Sequence, residues 1–179
     1  MQDGQVFQVD LTNGPGKLAN HGEADLIAHA CWRFLKWGIV PSQLGVMCLY
    51  RHQVDVVRAA IRRVLVEETA TMSEEEAKQV EVSTVDAYQG RDKRVALASI
   101  CWTTTKDGSQ DEDEPKKRSA PRRRRPELLY DRRRLNVMVT RAREKLVLFG
   151  CAASAKQVPP LAELLAAFPL TVERARQRE

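Results

Sequence analysis

A mainly parallel α/β sheet with helices on both faces is the fold this sequence predicts, and three observations predict it. Short apolar runs of strand length recur along the chain, among them GVMCL, VALASICW and LVLFG. They are doubly apolar rather than alternating, as in strands covered on both faces. Between them lie amphipathic segments of helical spacing, so strands and helices mostly alternate.

Taken in order, Gln5 to Leu11 is a strand, and the polar TNGPGKLANHG after it is a loop. Gly22 to Trp37 is a helix: Leu26, Ile27, Ala30, Cys31 and Phe34 fall on one face, and Gly38 follows as a stop. Gly45 to Leu49 is a short buried strand. His52 to Glu68 is a second amphipathic helix, with Val54, Val57, Ile61 and Val64/Leu65 inward and Arg58, Arg62 and Arg63 outward. Val80 to Val85 and Val95 to Trp102 are strands, the latter central, and Leu146 to Gly150 closes the set. Arg133 to Arg143 carries Leu135, Val137/Met138 and Ala142 at roughly helical spacing. Pro159 to Phe168 is a final short helix with Pro at its start.

The 179 residues are enough for one domain with an ordinary core. That domain is expected over residues 1–170, with 171–179 as a charged tail. Hydrophobic residues at 43% and charged residues at 30% argue for a globular chain. No apolar run approaches the roughly 20 residues that span a bilayer, so no membrane partner is expected. The first residues show neither a signal-peptide core nor an Arg-rich presequence, which makes an intracellular location the default.

Residues 106–126 (KDGSQDEDEPKKRSAPRRRRP) break the pattern. They have no apolar periodicity, with an acidic block followed by a basic one, and are expected to be a disordered charged insertion. The net charge of +5 is concentrated here: Lys116 to Arg134 holds ten Lys/Arg against Glu127 and Asp131. Such a face suits a polyanion, nucleic acid before membrane, because no amphipathic apolar face accompanies it. The basic half reads as a nuclear localisation signal, a nucleic-acid patch or a solvated loop. Cys31, Cys48, Cys101 and Cys151 are far apart, with no C-x-x-C pair and no nearby His, so reduced buried thiols are expected and no metal site.

Two segments carry chemistry. In VSTVDAYQGRDK, Asp86 and Gln89 are spaced as a helix-capping pair or as ligand-facing groups. Gly90 permits close backbone approach, and Arg91, Asp92 and Lys93 supply charge. In RRLNVMVTRAREK, Asn136, Thr140 and Arg143 fall in one helical stripe with Arg141 beside it; these arginines serve a phosphate or ion pairs within the domain. Tyr50 and Arg51, after GVMCL, offer a ring and a guanidinium at another strand end, the ring being a core-edge aromatic or a stacking platform. The phosphate loop G-x-x-x-x-G-K-[ST] is absent from the sequence.

Together, IVPSQLGVMCLYRHQ, VEVSTVDAYQGRDKRVALASI and DRRRLNVMVTRAREKLVLFG resemble motifs IV, V and VI of superfamily 1B helicases. These motifs belong to the second RecA-like domain. HGEADLIAHACWRFLKWGI resembles the helix before motif IV, and the resemblance runs from about Val6 to Leu170. QGRDK and KDG…LLYDRRRLNV look closest to the helicase–nuclease group of eukaryotic DNA replication. The resemblance implies roles. Arg141 is the arginine finger on the ATP γ-phosphate, a role worth about 10³ to 10⁵ in rate in comparable systems. Arg51 is a second phosphate sensor and Tyr50 stacks on adenine, although Leu49 stands where the family usually has Pro. Gln89, Gly90 and Asp92 line the nucleotide. Ser83 and Thr84 bond the single-strand backbone, and Asn136 and Thr140 couple the two sites.

The resemblance also implies partners. ATP, with a Mg²⁺ ion held mainly by a first RecA-like domain, sits in a cleft between that domain and this one. Single-stranded DNA is the expected polymer, with RNA as in nonsense-mediated decay helicases the alternative, and a nuclear location ahead of a cytoplasmic one. Alone, the chain is expected to be inactive as an ATPase. A non-catalytic binding module that kept the fold is the reading from another class.

Overall fold

The strand runs pair side by side and all in one direction. The computed structural model describes residues 4–8, 19–88, 90–101, 127–167 and 170–174. The strands are β1 (Gly4–Gln8), β2 (Leu44–Cys48), β3 (Glu81–Thr84), β4 (Lys93–Ser99), β5 (Ala142–Phe149) and β6 (Leu170–Arg174). Every pairing is parallel, in the order β3-β2-β4-β5-β1-β6. The helices are α1 (His21–Lys36), α2 (Arg51–Arg62), α3 (Glu74–Ala77), α4 (Glu127–Tyr130), α5 (Arg132–Thr140), α6 (Ala152–Ala155) and α7 (Pro159–Ala167). This is the α/β layering of a RecA-like domain.

Strand alternation sorts the core into two layers. Leu44, Val46, Cys48, Val95, Leu97, Val147 and Phe149 pack beneath α1 and α2, against Ile27, Cys31, Val57 and Ile61. Met47, Ala96, Ala98, Ile100 and Leu148 face the other way, beneath Leu129, Leu135, Met138, Val158 and Leu161. Each fully buried Leu, Ile or Val contributes roughly 1.5–3 kcal/mol. All four cysteines are buried and none is in a disulfide; burial pushes the Cys31 thiol up to about 12, so it packs rather than reacts.

The connection from β3 to β4 sets up the functional surface. β3 and β4 run parallel on either side of β2, yet only eight residues join Thr84 to Lys93. A single 3-10 turn, Asp86–Tyr88, starts the return across the sheet. Tyr88 then lies over Gly45, where a Cβ would stand 1.7 Å from its hydroxyl oxygen. Glycine in β2 thus leaves the slot that the ring fills. Gly90 adopts φ +81, the left-handed region that lets the chain turn into β4.

Several expectations change here. Asp86 does not cap a helix: Thr84 Oγ1 accepts the Ala87 N–H at 3.4 Å, while Asp86 pairs with Arg134 at 2.8 Å. Gln89, its expected partner, lies outside the described residues, as do residues 9–18, Trp102 and the insertion at 106–126, while His21 and Gly22 at the end of the expected first loop already belong to α1. Arg143 is in β5 rather than on the helical stripe, because Ala142 already pairs with Lys93. Thr140 ends α5, its hydroxyl turned back to the Asn136 carbonyl at 2.8 Å. The second amphipathic segment holds a regular helix only to Arg62; Arg63–Glu68 is a wider turn in which the Thr69 N–H reaches Val64 O. Residues 170–174, assigned from their charge mostly to a tail, form β6 on the outer side of β1.

Candidate functional site

Because all strands run one way, the sheet has an amino edge and a carboxyl edge. They are separated by the length of β2, five residues or about 16 Å at ~3.3 Å per residue. The residues singled out in the sequence divide between these edges.

At the amino edge, α5 delivers Arg141 beside the turn that leads into β4. The Lys93 N–H donates to the Arg141 carbonyl at 2.9 Å, and Lys93 pairs in register with Ala142. That backbone link fixes Arg141 against Asp92. Arg141 Nη1 donates to Asp92 Oδ1 at 2.9 Å, and Nη2 donates to Thr140 Oγ1 at 3.2 Å. Arg141 Nε is covered and has no hydrogen-bond partner. The Arg141 side chain is 21% exposed and Asp92 is 41% exposed, so the pair is within reach of an incoming anion. Asn136 is exposed one turn earlier on α5, and its carbonyl accepts from Thr140. Thr140, Arg141 and Asp92 thus form one connected group, with Gly90 in the same turn.

The carboxyl edge collects Tyr50, Arg51 and Thr84. Tyr50 precedes α2 in an extended conformation, and Arg51 opens the helix exposed to solvent. The Tyr50 hydroxyl is covered and without a partner, and burial pushes it up to about 12. Ser83 Oγ is likewise covered and unpartnered, so that hydroxyl is withdrawn from solvent. Thr84 is half-buried, its hydroxyl engaged by the Ala87 N–H. Tyr50 and Arg51 are therefore not brought together with Arg141.

Beside them lies a polar cluster that sequence reasoning missed. Glu23 is fully buried at the start of α1, where Ser99 Oγ donates to Oε1 at 2.5 Å and the Cys101 N–H donates to it at 3.1 Å. Burial raises its carboxyl to about 7, against the lowering pull of those hydrogen bonds. Buried Gln53 of α2 accepts the Asn20 N–H at 2.7 Å and donates to the Asn20 carbonyl at 3.1 Å. Asn20 Oδ1 caps α1 through the Glu23 N–H. The only local signal was Asn20 three residues before Glu23, which spells a capping box. Glu23 instead reaches across to β4, and Gln53 takes the backbone group that a box would satisfy.

Among the described residues no cluster of three acidic, His or Cys side chains is arranged to hold a metal ion. Asp92 and Glu81, the carboxylates nearest Arg141 in the chain of ion pairs, are both engaged by cations. They do not fit a Mg²⁺ site.

A family model described as an AAA domain matches residues 5–153. The chain belongs to this family. It is 37% identical over 150 residues to the DNA replication ATP-dependent helicase/nuclease DNA2 of Homo sapiens, a match covering 84% of this chain and 12% of that protein. Identity to the corresponding protein of Schizosaccharomyces pombe is 32% over 133 residues, covering 74% of this chain and 7% of that one. The DNA replication ATP-dependent helicase/nuclease JHS1 of Arabidopsis thaliana is 30% identical over 148 residues, covering 83% and 9%. The likeness to helicases first visible in the three motifs is thus a likeness over most of the chain. The chain spans about an eighth or less of the length of these relatives.

Proposed function

We propose that this chain is the second motor domain of an ATP-dependent DNA helicase, in which the amino edge completes an ATP cleft and the carboxyl edge grips single-stranded DNA. The observation that carries the reading is the Asp92–Arg141–Thr140 group: a largely covered guanidinium held by an exposed carboxylate and a hydroxyl, with its Nε unsatisfied.

The chemistry follows from relative energies. An exposed ion pair such as Asp92–Arg141 is worth about 0–1 kcal/mol. A charge-assisted hydrogen bond to an incoming phosphate oxygen contributes about 1.5–3 kcal/mol, more when bidentate. Arg141 therefore exchanges Asp92 for a γ-phosphate at little cost through Nη1, the atom that Asp92 holds. Thr140 keeps hold of Nη2 during that exchange. A first motor domain would bring ATP, and Arg141 adds its charge at the γ-phosphate only when the two domains close. Closing and opening move Arg51 and Thr84 relative to the other half of the strand-binding surface, which is how hydrolysis becomes translocation and unwinding. In this scheme Tyr50 and Arg51, lying on the far edge from Arg141, serve the DNA side rather than the nucleotide.

DNA rather than RNA is the polymer favoured, since the relatives above are named for DNA replication, and a nuclear location goes with that role. The isolated chain turns over ATP negligibly in this account. The test is Arg141→Ala in the complete polypeptide. Turnover should drop by about 10³-fold or more, with single-strand affinity largely kept. Turnover at the unsubstituted rate would remove the basis of the proposal.

A further inference from the structure

We propose that Glu81 is a positioning residue that fixes Asp92, and through it Arg141; the role rests on the nucleotide reading of the amino edge. Glu81 is the first residue of β3, and its side chain is 22% exposed. Its two oxygens hold the two cations that flank Asp92. Oε1 accepts from Arg91 Nη1, and Oε2 pairs with Lys93 Nζ at 3.1 Å.

Each cation is tied down a second time. Arg91 Nη2 donates to the Ala87 carbonyl, and its guanidinium sits 5.9 Å from the Tyr88 ring centre. Lys93 Nζ donates to the Ser42 carbonyl at 2.9 Å. The turn from Gly90 to Lys93 is therefore stapled on both sides of Asp92, which is left free to face Arg141. Gly90 provides no side-chain hold of its own there. Removing the Glu81 charge leaves two cations adjacent to Asp92 with no carboxylate between them. They repel each other, and both compete with Arg141 for the one acid remaining. Arg141 then loses the partner that aims it.

The experiment is a double-mutant cycle on ATP turnover in the complete polypeptide, with the thermal midpoint recorded for each variant. Glu81→Gln should lower kcat about tenfold with KM for ATP changed by less than about twofold. In an Asp92→Asn background the same substitution should change kcat by less than about twofold, because the route to Arg141 is already cut. Adding Arg91→Met to Glu81→Gln removes one competing cation and should restore much of the lost kcat. An unchanged kcat, an equal loss in both backgrounds, or no recovery with Arg91→Met overturns the proposal. Should Glu81→Gln not fold, Glu81→Asp, too short to hold both cations, is put through the same cycle with a smaller loss expected. Arg141→Ala separates the two layers of the argument. Full turnover in that variant sinks the nucleotide reading, whereas lost turnover with an additive cycle sinks Glu81 alone.

Discussion

At the amino edge of the sheet, charged groups stand partly in solvent and hold one another: Arg141 with Asp92, and Glu81 with Arg91 and Lys93. At the carboxyl edge, Glu23, Gln53, Asn20 and Ser99 are buried, and their hydrogen bonds run among themselves, to the backbone and to the Cys101 thiol. Both are polar constellations in contact with the same strands, yet their energetics differ. An ion pair with one partner in solvent, such as Asp92–Arg141, is cheaper to part than a buried one, so its members are available to a ligand. A buried carboxyl satisfied by a hydroxyl and an N–H is costly to disturb, so it locks α1, α2 and β4 together instead. Exchangeability, more than polarity, separates a candidate binding site from a structural one.

Substitutions at the two edges should therefore differ most in stability. Glu23→Ala leaves Ser99 Oγ and the Cys101 N–H without an acceptor and opens a small void, costing on the order of 3 kcal/mol in urea unfolding. A cost under 1 kcal/mol would mean the lock is ornamental.

Next in size is a pH effect. The folded carboxyl of Glu23 is raised from 4.5 to about 7, so between those values the native state holds a proton that the unfolded chain has released. Its contribution is full below about 4.5 and is lost as pH rises through 7. Glu23→Gln removes that titration while keeping an acceptor. Relative to the unsubstituted protein, the variant should gain on the order of 2 kcal/mol from pH 5 to pH 8. A constant difference across that range would show that Glu23 does not titrate there.

Smallest is Asp92→Ala, which breaks only an exposed pair and should shift unfolding by no more than about 1 kcal/mol. A loss as large as that of Glu23→Ala would erase the distinction between the edges.

Much of the scaffold was legible because burial writes itself into period and composition. GVMCL and VALASIC are apolar but for Ser99 since both faces are covered, and α1 and α2 show their stripes. What failed depended on partners far away in the chain. Arg143 continues a helical pattern locally, but pairing with β4 captures the backbone from Ala142 onward. Leu170–Arg174 is too charged to announce a strand, and forms one because β1 offers an open edge. Asp92 and Arg141 were visible as motif residues, and their mutual ion pair was not, being 49 positions apart. Nothing local marked Tyr50 and Arg51 as belonging to the opposite edge from Arg141; that follows only from the direction of β2 and α5. Glu23 was hidden for the same reason, its partners lying on β4 and just beyond it.

The division of labour between the edges is tested most directly by amide hydrogen exchange on the complete polypeptide, with a non-hydrolysable ATP analogue and with single-stranded DNA added separately. The analogue should slow exchange at residues 90–93 and 140–143, and the DNA at residues 49–52 and 84–87. Protection of residues 49–52 by the nucleotide, with residues 90–93 and 140–143 exchanging as before, would contradict it.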